Sequence, residues 1–217
     1  MTLILTAGCK DGIAVCADKR RTLKTAQQTS YHDDLTKVYR FAKTEVLAFN
    51  HGIHRIRGKS WDAYLNDFES SSVHKGMSFA DLVTAFKSFI ETPISQELAS
   101  NPFDDAVGFV FCAFVEGSEP VIRELFWKRN VTFEDKTHRG LVRTGSGAHH
   151  LDEHLQATPN VNTVEHWEQL PVQEALTELQ SLFQIACDCR KQQQSEEFSD
   201  SFDVYTLESQ PDAPGDG

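Results

Sequence analysis

Residues 3–18 contain two short apolar runs, Leu3 to Ala7 and Ile13 to Ala17, joined by a turn that carries Lys10-Asp11-Gly12. Asp-Gly between apolar runs is a strong short-range signal for a β-hairpin. The chain is therefore expected to open as an antiparallel pair of strands, and the residue at the head of the first strand is Thr2. Removal of the initiator methionine would leave that threonine with a free α-amine. Such a residue combines a nucleophile with its own base: the hydroxyl attacks a carbonyl, and the amine, with an ordinary pKa of roughly 7.7 to 8.0, takes the proton. Many chains begin Met-Thr by accident, so the weight of this reading lies downstream.

The second run ends in Asp18-Lys19-Arg20, and a further strand candidate opens at Lys37 in Lys37-Val38-Tyr39-Arg40-Phe41. An acid and a lysine thus converge on the start of the chain. A lysine ammonium beside the threonine would lower the pKa of its amine and hydroxyl, and a carboxylate within about 4 Å would keep that lysine charged against the cost of burial. Taken singly, Asp18 and Lys37 read as an ordinary ion pair at a strand end; with Thr2 and the Gly145-Ser146-Gly147 segment they read as one constellation.

On these residues the chain resembles the β-type subunits of the proteasome and, more closely, the bacterial proteasome-like peptidase of the heat-shock locus, both N-terminal nucleophile hydrolases. The ungapped pattern Gly12, Val15, Ala17, Asp18, Arg20 carries the resemblance. It implies that Thr2 is the catalytic threonine, Asp18 the buried aspartate and Lys37 the catalytic lysine. It also implies that a backbone amide at His51 or Gly52 receives the oxyanion, and that Ser146 supports the threonine amine. Two departures stand out. His51 replaces a frequent glycine, and the stretch before the last strand, QQQSEEFSDSFDVYTLE, lacks the family's glycine. Glu196 with Ser199 keeps the acid-to-serine spacing there, and Ser201 is a second candidate for the hydroxyl.

The resemblance further implies an α+β fold in the form of a four-layer αββα sandwich, a single domain over 1–209, and a homo-oligomeric ring with active sites facing a chamber. Peptides or unfolded protein chains are the implied substrates, and an ATP-dependent unfoldase is left open as a partner. The tail 210–217, rich in Pro, Gly and Asp, is expected to be disordered.

A formal charge of -11 over 217 residues argues against a nucleic-acid partner, because Lys19-Arg20-Arg21 and Arg55 with Arg57 are too small a basic surface for a phosphate backbone. No run approaches the ~20 apolar residues that span a bilayer and no secretory signal opens the chain, so no membrane partner and a cytoplasmic location are expected. Five cysteines, two of them (Cys16, Cys112) in apolar strand-like runs, suit reduced core residues better than a disulfide framework. His150 and His154 stand one helical turn apart beside His149, but glutamate does not follow the first histidine as in the zinc-protease pattern. A surface helix start is the reading, and no metal or cofactor is called for.

Periodicity places strands near 37–41, 45–50, 106–115, 120–128, 130–134 and 202–207. Helices are expected from Gly52 through Phe68, from Ser78 to a break or bend at Pro93, from Gly147, and, longest, over 172–191. The loop 22–34 reads as a pocket wall or a subunit contact. Together these features favour a threonine-type peptidase subunit. A non-catalytic scaffold subunit and a small-amide hydrolase on the same superfold are the rivals, since a fold does not choose its substrate.

Overall fold

The opening hairpin forms as β1 (Ile4–Gly8) and β2 (Gly12–Asp18), antiparallel, with Ile4 opposite Ala17 and Gly8 opposite Ile13. Every residue of both strands is buried, which explains why they read as continuous apolar runs rather than an alternation. Successive side chains still point to opposite faces. Ile4, Ile13, Val15 and Ala17 enter one core, while Leu5, Ala7, Ala14 and Cys16 enter another. The computed structural model describes residues 2–24, 27–115, 119–129 and 133–209.

Beyond the hairpin, β3 (Arg21–Lys24) and β4 (Thr29–His32) form a separate two-stranded ribbon within the segment read as a loop. Strands β5 (Val38–Arg40) and β6 (Leu47–Gly52) follow, then the minimal pair β7 (Arg55–Ile56) and β8 (Lys59–Ser60), turned by Arg57 and Gly58 in the left-handed region. Helix α1 (Trp61–Ser72) begins only there, so the helix expected from Gly52 starts nine residues later. Helix α2 (Phe79–Ser100) is capped by Ser78, whose Oγ accepts from the Asp81 amide at 3.1 Å.

Pro93 neither ends α2 nor shortens it. Ile90, Ile94 and Leu98, on both sides of the proline, are buried in the same core, and that shared burial outweighs the one hydrogen bond a proline forfeits. At 22 residues α2 is also longer than α5, correcting the ranking expected from the sequence.

Strands β9 (Ala106–Val115), β10 (Glu119–Lys128), β11 (Glu134–His138) and β12 (Leu141–Thr144) come next. The strand expected over 130–134 begins only at Glu134, and 130–132 lie outside the described residues. A 3-10 turn (Ser146–Leu151) leads into α3 (Asp152–Ala157), then α4 (Val164–Gln169), α5 (Val172–Gln192) and β13 (Phe202–Glu208). The tail 210–217 lies outside the described residues.

These strands make a four-stranded sheet in the order β12-β1-β2-β13 and a five-stranded sheet in the order β11-β10-β9-β6-β5, both antiparallel throughout. The protein is thus a mixed α and β structure with several antiparallel sheets and helices. One core joins the sheets face to face, with Ile4 and Val15 from the first against Phe49, Val110 and Ile122 from the second. A second core packs Phe109 and Phe111 of β9 onto Phe68 of α1 and Phe86 of α2; the third packs Leu5 and Cys16 onto Leu179, Leu182 and Phe183 of α5. Each such side chain contributes about 1.5–3 kcal/mol by leaving water. Among the described residues, no helix is long and apolar enough to cross a membrane.

Candidate active site

Thr2 lies at the head of β1 between two segments that reach it from far along the chain, and it is 6 % exposed. Its hydroxyl receives a hydrogen bond from Lys37 Nζ. Lys37 also donates to Asp18 Oδ1 at 2.6 Å, with Asp18 fully buried. The hairpin register explains the convergence: Ile4 opposite Ala17 places the residues just before β1 next to the end of β2. Lys37 arrives one residue before β5.

Asp18 is held by more than the lysine. The Leu3 amide donates to Oδ1 at 2.8 Å and the Arg20 amide to Oδ2 at 2.9 Å, so the carboxylate accepts three hydrogen bonds where water cannot. Such a set fixes the orientation of the carboxylate. Burial is the largest influence on Lys37 and pulls its pKa below the ordinary value; the Asp18 charge and hydrogen bond oppose that pull. Desolvation is the stronger of the two effects.

The segment Gly145-Ser146-Gly147 wraps the backbone of Thr2. The Gly147 amide donates to the Thr2 carbonyl at 2.9 Å. Gly145 has φ +90°, and a Cβ there would sit 2.2 Å from that same carbonyl oxygen, so both conformation and space require glycine. Ser146 is carried beside Thr2 by these neighbours, and its own carbonyl lies 2.7 Å from His149 Nδ1.

The C-terminal pair has other partners. Ser199 is fully buried, accepts from the Lys19 amide at 3.2 Å and donates to the Ser201 carbonyl at 2.5 Å, bolting its loop to the end of β2. Glu196, 61 % exposed at its side chain, accepts from Arg20 Nη1 at 2.7 Å. Arg20 also forks onto Asp33 with two 2.7 Å hydrogen bonds. The structure therefore brings Glu196 to Arg20, not to Thr2, and Ser201 contributes its backbone. Arg20 was given no role from the sequence, because its partners lie 13 and 176 positions away.

His51 and Gly52 stand at the end of β6 and line the pocket in front of Thr2 together with Arg21, Lys37, His54 and Trp61. Gly52 has φ +81°, and a Cβ would lie 2.4 Å from the Ala106 carbonyl. The His51 ring passes over Gly108, its partner on β9, stacks on Phe126 at 5.7 Å and sets Nε2 2.8 Å from Glu124 Oε1. His138 Nε2 lies 2.8 Å from the other Glu124 oxygen. Burial alone would raise the Glu124 carboxyl, but hydrogen bonds from His138 and His51 outweigh it and hold the group well below the ordinary carboxylate range. The glutamate clamp fixes the imidazole as one wall of the pocket. His54 is pulled down to about 4 by burial, with the charge of Arg21 adding to the effect.

The cysteines take no part in this centre. Burial raises the thiol pKa of Cys9 and of Cys187 to about 12, which keeps both protonated and unreactive.

No family model matches the chain, and no curated protein matches it. Solved structures do. The Gly-1 mutant of Anbu from Hyphomicrobium sp. strain MC1 superposes with a TM-score of 0.64 at 12% identity, over 96% of this chain and 82% of that one. Anbu, an ancestral β-subunit, from Yersinia bercovieri gives 0.61 at 11% identity, over 95% and 81%. A helical assembly of the Anbu complex from Pseudomonas aeruginosa gives 0.61 at 14%, again over 95% and 81%. At these identities the likeness is one of fold. It corrects the resemblance drawn from the sequence: the heat-shock-locus peptidase has no support from any family model, and the similar structures are Anbu chains.

Proposed function

We propose that this chain is a threonine-type peptidase subunit that works through an acyl-enzyme on Thr2 within a homo-oligomeric ring or helical assembly. The observation that carries the reading is the Lys37 side chain, bonded at once to the Thr2 hydroxyl and to the fully buried Asp18. A structural ion pair has no need of a threonine oxygen as its third member.

With Met1 removed, the free amine of Thr2 takes the hydroxyl proton as Oγ1 attacks the substrate carbonyl carbon. The C=O electron pair moves to oxygen, and the backbone at His51 or Gly52 receives the oxyanion. Collapse breaks the C–N bond, the amine returns the proton to the leaving nitrogen, and an ester on Thr2 remains. Water, deprotonated by the same amine, then releases the acyl group as a carboxylic acid. Lys37 lowers the basicity of the amine and the hydroxyl through its charge, Asp18 holds Lys37, and Ser146 supports the amine. Ser199 and Glu196 shape the loop behind the site.

The three cores support a four-layer αββα arrangement and a single domain over 1–209. Assembly is supported by the overall similarity to Anbu, one structure of which is a helical assembly. Chambered sites of that kind would take peptides or unfolded chains. A non-catalytic scaffold subunit is the second reading. It is favoured by one observation: the acid and hydroxyl at 196 and 199 are engaged by Arg20 and by backbone groups, so the amine of Thr2 has less support.

Intact-protein mass spectrometry with a peptide epoxyketone or a β-lactone tests the proposal on untagged protein. Loss of Met1 and a covalent adduct absent from Thr2→Ala are expected. Retained Met1, or a processed Thr2 that reacts with neither electrophile, would overturn the peptidase reading in favour of the scaffold.

A further inference from the structure

On the far side of the turn that wraps Thr2, His149 and His150 stand side by side with ring centroids 4.1 Å apart and planes tilted by 34°. Helical spacing would pair His150 with His154, but the fold supplies a different neighbour. Glu197, in the loop between α5 and β13, sets Oε2 2.7 Å from His150 Nε2 and 3.6 Å from His149 Nε2. Ser195 Oγ donates to the same oxygen at 3.2 Å. The three ligand atoms lie within 4.8 Å of one another.

The hydrogen bonds say which nitrogen is free. His149 Nδ1 lies 2.7 Å from the Ser146 carbonyl, and a carbonyl only accepts, so Nδ1 carries a proton and Nε2 is the nitrogen that faces Glu197. The His150 side chain is wholly buried and its Nδ1 has no partner, so Nε2 is the ring's single polar anchor.

We propose that His149, His150 and Glu197 bind one divalent transition-metal ion of the zinc type. Imidazole and carboxylate ligands suit such an ion, and tetrahedral bonds of about 2.0–2.1 Å place ligand atoms roughly 3.3 Å apart. The His149–Glu197 separation of 3.6 Å needs to close by only ~0.3 Å, and the His150–Glu197 contact of 2.7 Å opens by ~0.6 Å as the metal replaces a bridging proton. The Ser146 carbonyl is the outer contact that orients a ligating histidine. The His149 side chain, 51 % exposed, leaves the fourth position open to water or to a ligand from solvent.

The ion ties together the two segments that flank the nucleophile. The turn bearing both histidines also gives Thr2 its Gly147 hydrogen bond, and the loop bearing Glu197 also carries Ser199 onto the Lys19 amide. Metal binding requires nothing of the peptidase chemistry, so the two proposals fail separately.

The test is calorimetric titration of Zn2+ into the untagged full-length chain after chelator treatment, alongside His149→Ala, Glu197→Gln and His154→Ala. One ion per chain is expected for the wild type and for His154→Ala, with affinity falling at least about tenfold in His149→Ala and in Glu197→Gln. His149 is half exposed, so its replacement leaves the fold intact, as circular dichroism would verify. Absence of stoichiometric binding, or binding undiminished in both His149→Ala and Glu197→Gln, overturns the site.

Discussion

Replacing Asp18 by asparagine tests the centre of the structure without relying on activity. The carboxylate accepts from the Leu3 amide, the Arg20 amide and Lys37 Nζ, all in a place where Asp18 is fully buried. An asparagine has one acceptor oxygen. Turned toward Leu3 and Lys37, it points its NH2 at the Arg20 N–H; turned the other way, it points the NH2 at Leu3 and at the ammonium. Either orientation sets the NH2 against at least one donor and leaves Lys37 as an unpaired buried cation, a change that costs about 3–5 kcal/mol. Lys37→Met removes the cation but leaves the carboxylate its two amide donors, so its cost is smaller, about 2–4 kcal/mol. In the double variant neither charge remains unpaired. The double should therefore cost about as much as Asp18→Asn alone, giving a coupling energy of about 2–4 kcal/mol, the whole cost of Lys37→Met. Urea denaturation at one fixed protein concentration, followed by the fluorescence of Trp61, Trp127 and Trp167, measures all four corners of the cycle. Additivity within about 0.5 kcal/mol would refute the reasoning, because it would mean that Lys37 and Asp18 do not depend on one another. The labelling rate of Thr2 should fall by about 10²-fold in either single variant.

Three further expectations follow from the geometry around Thr2. Gly145→Ala must accommodate a Cβ 2.2 Å from the Thr2 carbonyl at φ +90°, so thermal unfolding should report a loss of about 2–4 kcal/mol and Thr2 labelling should cease; unchanged labelling would show that the wrap does not position Thr2. Glu124→Gln leaves His51 and His138 without their shared carboxylate and should cost about 1–3 kcal/mol while slowing labelling less than tenfold, since the clamp shapes a pocket wall rather than Thr2 itself; a larger kinetic loss than that contradicts the assignment. His54 supplies a pH dependence. Its ordinary pKa of 6.5 falls to about 4 in the folded chain. Above 6.5 the group is neutral in both states; as pH falls from 6.5 toward 4 the unfolded chain takes a proton that the folded chain refuses, and stability is lost over that window. After allowance for solvent screening the loss is about 1–2 kcal/mol, and His54→Gln should lose that much less than the wild type between pH 6.5 and 4 in matched denaturation curves.

What could be read from the sequence was local or periodic. The hairpin was legible because Asp11-Gly12 sets the turn and both flanking runs are apolar, and α2 announced its start through Ser78 and Asp81. The helix wrongly extended back to Gly52 failed for a physical reason: Arg57 adopts φ +53°, which residue type alone does not foretell, and that turn spends residues 55–60 on a strand pair. For the opposite reason Pro93 does not end the helix, since its local penalty is fixed while the burial of Ile90, Ile94 and Leu98 that overrides it is tertiary.

The site divides along the same line. The convergence of Thr2, Asp18 and Lys37 could be anticipated because the hairpin register and a short following segment bring them together. Glu196 and Ser199 could be located by spacing, yet their partners could not, because a carboxylate takes the strongest donor within reach. Arg20 is that donor. It is itself aimed by Asp33 across 13 residues and meets Glu196 across 176, so no window of sequence contains the competition. The same holds for Glu197, which sequence spacing would not connect to His149 and His150 across nearly fifty residues. Spacing thus places a functional group on its loop; the cation or imidazole that the fold sets opposite it decides what that group does.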